Sequence, residues 1–175
     1  MNGPGTLDWQ PATADLVAAP VAAALAAWGR SDVLTAPIDG DLADTAEFCE
    51  HYGVPLEDSA NCVVIAGRRG EATRYAACVV LATTRADVNG LVRRRLDARR
   101  ASFAPMDDAV RHTGMEYGGI TPIGLPADWP ILIDQAVLDR EMVVVGSGLR
   151  RSKIALPPAA LAALTGAEVH DGLGR

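Results

Sequence analysis

Three glycines and a proline frame the stretch Gly118-Gly119-Ile120-Thr121-Pro122-Ile123-Gly124-Leu125, and this stretch decides the fold that we predict. Glycine can take a positive φ and lets a ligand approach bare backbone, whereas proline fixes its own φ. No ionisable side chain interrupts the stretch, so it offers peptide N–H and C=O groups instead of a charged nucleophile. A structural turn explains such a loop about as well. The flanking segments therefore carry the decision.

These flanks form an ordered series of apolar and helical segments on both sides of the glycine-rich stretch. Upstream lie the helix-like 45–54 and the strand-like 61–65. Downstream follow Ile131-Leu132-Ile133-Asp134, then the valine-rich 142–148, then the proline-led 156–161. The order of these segments is informative because each one alone is common.

Taken in this order, the segments and the Gly-x-x-x-Pro element from Gly118 to Pro122 resemble the YbaK/EbsC family. Its members are free-standing aminoacyl-tRNA deacylases related to the editing domain inserted in bacterial prolyl-tRNA synthetases. The resemblance runs from about Val17 to about Ala167. It implies a trans-editing hydrolase that cleaves the ester of a mischarged tRNA without a covalent enzyme intermediate.

Local patterns predict an α+β fold, with a mixed, strongly curved, barrel-like sheet and helices packed outside, since strands outnumber helices and come partly in adjacent pairs. We expect an N-terminal extension at 1–15 and a single domain at 16–175. Helices are expected at 20–28, 45–53 (with an Asp44/Glu47 capping box), 86–98, 105–112 and 157–165. Strands are expected at 32–38, 61–67, 75–82, 101–104, 119–123, 131–134, 142–146 and 152–156.

Composition excludes several classes of function. The 175 residues carry a net charge of −6, so RNA binding would need a local basic patch, and DNA binding is not expected. Three cysteines without a CxxC motif, and no secretory leader, indicate reduced thiols in the cytoplasm. Neither a membrane anchor, nor a cofactor, nor a metal site is predicted, and the oligomeric state stays open.

The resemblance assigns the chemistry to two regions of the chain. Gly118 is expected nearest the scissile ester, and Asn61 stands where family members usually carry a lysine that positions substrate. Asn61 keeps a donor and an acceptor but has no charge, and a structural capping role is its alternative. We expect the remaining substrate contacts from Gly119, Ile120, Thr121, Pro122, Gly146, Ser147, Gly148 and Lys153.

Two of these contacts have competing interpretations. Lys153 is the only lysine of the chain, and it could be a relocated ammonium facing the pocket or a surface lysine, of which the surface position is favoured. Ser147, between Gly146 and Gly148, could give its hydroxyl to the substrate or belong to an ordinary turn at a strand end.

One dense arginine cluster is the natural place for the phosphates of an acceptor stem. A solvated helix face is the alternative interpretation of such a charge run. The predicted tRNA contacts are Arg93, Arg94, Arg95 and Arg99, next to Arg100 and Arg85.

The leading hypothesis is thus an aminoacyl-tRNA deacylase whose partners are aminoacyl-tRNA and, as the resemblance allows, an aminoacyl-tRNA synthetase. The rival hypothesis is a catalytically weak or inactive module of the same fold that binds a tRNA end, a small aminoacyl ligand or a protein. Both hypotheses keep the cleft, so turnover and not binding discriminates between them.

Overall fold

The structure, a computed structural model, describes residues 2–175. Within this range the chain forms nine β-strands and six α-helices, and no helix in it is both long enough and apolar enough to cross a lipid bilayer. The strands are β1 (Gln10–Pro11), β2 (Leu34–Pro37), β3 (Ala60–Arg69), β4 (Ala72–Leu81), β5 (Arg100–Phe103), β6 (Ile131–Asp134), β7 (Val143–Gly146), β8 (Ser152–Leu156) and β9 (Ala167–His170). The helices are α1 (Ala19–Trp28), α2 (Thr45–Tyr52), α3 (Arg93–Arg95), α4 (Met106–Thr113), α5 (Gln135–Leu138) and α6 (Pro158–Ala162).

The strands form two sheets that meet at one bridge. The first sheet is antiparallel, in the order β1-β2-β8-β7. The second is mixed, in the order β5-β3-β4-β6-β9, with β4, β6 and β9 parallel to one another. A bridge between Ser59, just before β3, and Val144 in β7 joins the two sheets. The predicted α+β fold with a mixed sheet is confirmed.

The largest apolar cluster lies between these sheets and the helices that cover them. Val21 of α1, Ile133 of β6, Ile154 of β8 and Leu161 of α6 all belong to it and are fully buried. Burial of each such side chain stabilises the fold by about 1.5–3 kcal/mol before entropy is counted. Strand β8 is hydrogen-bonded along both of its edges, to β2 and to β7, and so lies inside the first sheet.

Local signals place the early helices well. Both α1 and α2 end at a glycine in the left-handed region, Gly29 and Gly53, as predicted. The predicted capping box at Asp44 is wrong. Asp44 is the N-cap residue of α2, but its carboxylate accepts no hydrogen bond from the helix. It lies instead 3.6 Å from a guanidinium nitrogen of Arg150.

The predicted helix at 86–98 is also wrong in its length and type. A π-helical turn, Val88–Val92, precedes the short α3. The Asp87 carboxylate accepts the N–H groups of Gly90 and Leu91 and so holds this turn, while Gly90 lowers the propensity for a regular helix. Asp97, with φ of 50°, ends the segment.

Other differences lie in the second half of the chain. The strand predicted at 119–123 is wrong, since these residues form an irregular segment next to β7. Two elements have no counterpart in the prediction, namely α5 and the edge strand β9. The helix at 157–165 is shorter than predicted, because α6 ends at Ala162.

The N-terminal residues pack against the first sheet. Gln10 and Pro11 pair with β2, and Trp9 packs against the cluster that contains Phe48. The indole N–H of Trp9 donates to the carbonyl of Pro4 at 2.8 Å. Trp9, Gln10 and Pro11 therefore contact residues of the first sheet and of the cluster beside it.

Candidate active site

A cavity of about 360 Å³ opens where the two sheets meet. Both bridge residues, Ser59 and Val144, line it, so it sits at the junction itself. Its walls come from segments far apart in the chain: Ala43, Asp44, Thr45, Ser59, Ala60, Asn61, Cys62, Val63, Val64, Phe103, Ala104, Ala109, Tyr117, Gly118, Ile120, Val144, Val145, Gly146 and Lys153. The fold thus brings Asn61, Gly118 and Lys153 to one cavity.

Asn61 stands near the start of β3, with its amide held in place by α2. Its Oδ1 accepts a hydrogen bond from the Thr45 hydroxyl at 2.6 Å. Its Nδ2 donates to no atom among residues 2–175, and it is therefore the donor left for a ligand. The first-turn Thr45 of α2 thus engages the amide oxygen and leaves the amide nitrogen unpaired within residues 2–175.

Lys153 is buried, and its predicted surface position is wrong. Only 8% of the residue is exposed, because β8 lies between β2 and β7. Its Nζ donates to the carbonyl of Ala43 at 2.9 Å and lies 4.9 Å from the centre of the Phe48 ring. Burial lowers the pKa of this amine from 10.5 to about 8, although the nearby Cys49 opposes that shift. Lys153 is thus still mostly charged at neutral pH.

Gly118 occupies a backbone conformation that favours glycine. It has φ of +87° and sits third in a turn closed by the N–H of Gly119 donating to Glu116 O at 3.0 Å. A Cβ at Gly118 would also collide with the guanidinium of Arg150. The N–H of Gly118 makes no hydrogen bond to any other residue of the described range. That N–H is a free donor at the cavity wall.

The glycine-rich segment and the turn after β7 form one unit. Gly148 donates its N–H to Gly119 O at 2.7 Å, and Glu116 donates to Gly148 O at 2.9 Å. A Cβ on Gly146 would collide with the carbonyl oxygens of Gly119 and Ile120. Small residues at 119, 146 and 148 are therefore needed for close backbone packing.

The remaining predicted contacts divide into two groups. Ile120 and Gly146 line the cavity beside the three residues above, whereas the following lie outside its lining: Gly119, Thr121, Pro122, Ser147 and Gly148. The Ser147 hydroxyl is buried and bonds to Ser152 Oγ at 2.7 Å and to Leu149 O at 3.1 Å. The geometry of Ser147 matches a turn at a strand end.

Several cavity residues were not predicted from the sequence. Thr45 carried no signal beyond its position in the first turn of a helix. Phe103 and Tyr117 line the cavity and are 63% and 53% exposed, and the sequence pattern around these two aromatic residues does not indicate that exposure. Cys62 also lines the cavity, but burial raises the pKa of its thiol far above the ordinary value. That thiol is unsuited to act as a nucleophile.

The arginine cluster is split by the structure. Arg93 and Arg99 line a groove of about 420 Å³ together with Arg68 and Arg100. Arg95, by contrast, forms a two-pronged ion pair with Glu168 at 2.5–2.9 Å. Arg94 is exposed and lies outside the groove lining. Two of the four predicted tRNA contacts therefore share a groove.

The three histidines are scattered and each packs locally. His51 lies edge-on to Tyr52, His112 packs on Tyr75, and His170 lies 3.1 Å from Glu168. Across residues 2–175, no group of three or more His, Cys, Asp or Glu is placed to hold a metal ion.

Comparison with known protein families gives a match. The model of one family, described as the aminoacyl-tRNA editing domain, matches residues 39–164. That range contains every residue of the cavity lining.

Solved structures show the same fold. The crystal structure of a candidate trans-editing enzyme for prolyl-tRNA synthetase has a TM-score of 0.74 and 24% identity, covering 87% of this chain and 93% of that one. A hypothetical protein of known structure gives a TM-score of 0.76 at 22% identity, covering 89% and 99%. A larger candidate signal transduction protein from Marinobacter aquaeolei gives 0.55 at 19%, covering 87% of this chain but 30% of that one.

Proposed function

The chain belongs to the aminoacyl-tRNA editing domain family, and we propose that it is a trans-editing deacylase that hydrolyses the ester of a mischarged tRNA. The substrate would be an aminoacyl-tRNA carrying the wrong amino acid, released as the free acid and the free tRNA. The reaction would take place in the cytoplasm, and an aminoacyl-tRNA synthetase would be a partner of the protein.

The observation that supports this proposal is the set of donors collected at one cavity. The free N–H of Gly118, the free amide nitrogen of Asn61 and the ammonium of Lys153 come from three separate segments. When water attacks an ester carbonyl, negative charge develops on the carbonyl oxygen. Donors that are already in place stabilise that charge without reorganisation. We assign Gly118 and Asn61 to the ester, and Lys153 to the electrostatics of the cavity.

The nucleophile in this proposal is water or the free hydroxyl of the terminal ribose. The cavity lining includes a thiol, Cys62, whose raised pKa keeps it protonated. The lining includes no histidine that could act as a base and so activate the hydroxyl of Ser59 or Thr45. An aminoacyl ester is already activated, so positioning and charge stabilisation suffice.

Selection among amino acids would follow from the small residues of the wall. Ala43, Ala60 and Gly146, with Val144 and Val145, leave an apolar space whose size limits which side chain enters. A site of this kind rejects larger amino acids by steric exclusion, the second step of a double sieve. One of the similar crystal structures is described as a candidate trans-editing enzyme for prolyl-tRNA synthetase. Mischarged tRNAs that are specific for proline are therefore the first substrates to test.

The test is a screen of mischarged tRNAs for release of the amino acid above the spontaneous rate. Turnover on at least one member of the panel supports the deacylase. Binding of the same tRNAs without turnover would instead favour the alternative, a module that binds but does not hydrolyse. That alternative remains because Asn61 stands where family members usually carry a lysine.

A further inference from the structure

Two exposed aromatic rings flank the mouth of the cavity. Phe103 ends β5, and Tyr117 precedes Gly118 in the turn beside it. Both residues are more than half exposed, and neither ring packs on another aromatic ring within residues 2–175. Exposed aromatic faces beside a binding cavity are suited to stacking on a flat partner.

From Phe103, strand β5 leads directly to the arginine groove. In the pairing of β5 with β3, Phe103 stands opposite Ile65 and Arg100 stands opposite Arg68. Arg100 stands three positions before Phe103, about 10 Å along the strand, and side chains at this spacing leave opposite faces, so a ligand that touches both crosses the edge of β5. Because β5 is the edge strand of its sheet, its outer backbone groups are open to a ligand along this path.

The arginines that line the groove have no carboxylate partner within residues 2–175, whereas two neighbouring arginines each form an ion pair. Arg68, Arg93, Arg99 and Arg100 form no ion pair with a carboxylate in the described part of the chain. Next to them, Arg69 pairs with Asp97 at 3.0 Å and Arg95 pairs with Glu168. Four free guanidinium groups in one groove of a chain with net charge −6 mark a local site for an anion.

We infer that this surface, from Phe103 and Tyr117 along β5 to the groove, binds the single-stranded 3′ end of the tRNA. The terminal adenine stacks on the exposed rings, and the preceding phosphates lie beside the four arginines. Aromatic stacking combined with a basic groove is how proteins hold single strands. This inference rests on the proposed function, since the ester must enter the cavity while the base stays outside.

The length of the path agrees with this ligand. About 10 Å of strand spans roughly three stacked nucleotides at about 3.4 Å each. The unpaired 3′ end of a tRNA therefore reaches from the cavity mouth to the groove without requiring the duplex to approach the cavity.

The experiment measures the affinity of a fluorescein-labelled RNA hexamer ending in CCA, and of uncharged tRNA, by anisotropy at several salt concentrations. Phe103→Ala is expected to weaken hexamer binding about tenfold. Met106→Ala, another exposed apolar residue but outside the cavity lining, is the matched control and is expected to bind as wild type. Phe103→Trp restores the stacking surface and should restore affinity.

A second matched pair tests the groove. Arg68→Ala should weaken binding and lower the salt slope by about 0.7, the value for one phosphate contact on a single strand. Arg69→Ala removes the same charge from the adjacent residue, whose guanidinium is already paired with Asp97, and should leave the slope unchanged.

The outcomes separate this inference from the proposed function. If wild type hydrolyses a mischarged tRNA while Phe103→Ala and Arg68→Ala bind RNA as wild type does, the RNA surface is overturned and the deacylase stands. If RNA binding depends on these residues but no mischarged tRNA is hydrolysed, the RNA surface is supported and the deacylase is overturned.

Discussion

Lys153 is the residue at which stability and the proposed function oppose each other most clearly. A buried ammonium costs free energy unless it is well paired, and this one has a single hydrogen-bond acceptor, Ala43 O. Its pKa falls to about 8 for that reason. A protein that keeps such a charge at a cavity wall gives up stability there, as functional sites often do.

Replacing the charge should therefore stabilise the fold. The lowered pKa of Lys153 means that the buried charge costs about 3 kcal/mol of folding stability at neutral pH. Losing the hydrogen bond to Ala43 would cost about 1 kcal/mol and offset part of the gain from removing that charge. We expect Lys153→Met to be more stable than wild type by about 2 kcal/mol at pH 7, measured by urea unfolding.

The pH dependence of that difference has a definite sign. The folded pKa lies below the unfolded one, so the cost is complete below pH 8 and shrinks as pH rises toward 10.5. By pH 9 about 1 kcal/mol of the difference should be gone. A difference that stays constant between pH 7 and pH 9 would show that the charge of Lys153 does not cause it.

Catalysis should depend on the same titration. If the ammonium stabilises the transition state, wild-type kcat/KM, corrected for spontaneous hydrolysis, falls as pH rises through about 8. Lys153→Met should be slower at pH 7 and should lack this descending limb. Identical profiles for the two proteins would remove Lys153 from the mechanism.

At the scale of elements, the turn holding Gly118 and the end of β7 behave as one backbone-packed unit. Gly118 needs a positive φ, and Gly146 needs the absence of a Cβ against two carbonyls. The sequence reveals such a loop through its glycines and proline, but not which residues face the cavity, because that depends on contact with β7.

A matched pair of glycine variants separates strain from function. Gly118→Ala and Gly172→Ala both place alanine at a positive φ, +87° and +74°, and each should lose about 1–2 kcal/mol of stability. Gly172 has nothing within 4 Å of an added Cβ and lies outside the cavity, whereas Gly118 meets Arg150. Deacylation should fall at least tenfold only in Gly118→Ala. Equal activity in the two variants would make Gly118 purely structural.

An element can be predicted from the sequence when the contacts that determine it are local in the chain. The ends of α1 and α2 are encoded by Gly29 and Gly53 themselves, so the sequence suffices. Strand β9 has an unremarkable pattern and exists because it pairs with β6, which no local pattern reveals. The π-helical turn at 88–92 depends on one side chain, Asp87, and the helical pattern around it concealed this.

For the whole molecule, the joining of two sheets at one bridge creates the site. Asn61 and Gly118 were predicted as site residues through motifs in a family resemblance. The burial of Lys153 follows from the position of β8 inside its sheet, and the exposure of Phe103 from β5 being an edge, so both required the full topology.

The N-terminal extension tests how far the fold reaches beyond the residues matched by the family, 39–164. Half-buried Trp9 packs against the apolar cluster that contains Phe48 and Leu34 of β2. Trp9→Ala should lower the free energy of unfolding by about 2 kcal/mol, while the exposed Gln10→Ala should not. An unchanged melting temperature for Trp9→Ala would make the segment a separable extension.

The central claim is that the cavity at the sheet junction is a hydrolytic site, and the most direct measurement is the rate of amino acid release from mischarged tRNA by wild type and Asn61→Ala. Loss of one positioned donor should slow release about 100-fold or more. Stability should fall by only about 1 kcal/mol, because the bond lost within residues 2–175 is the one that Asn61 Oδ1 accepts from the Thr45 hydroxyl. Release by wild type at the spontaneous rate, or equal rates for the two proteins, would contradict the account.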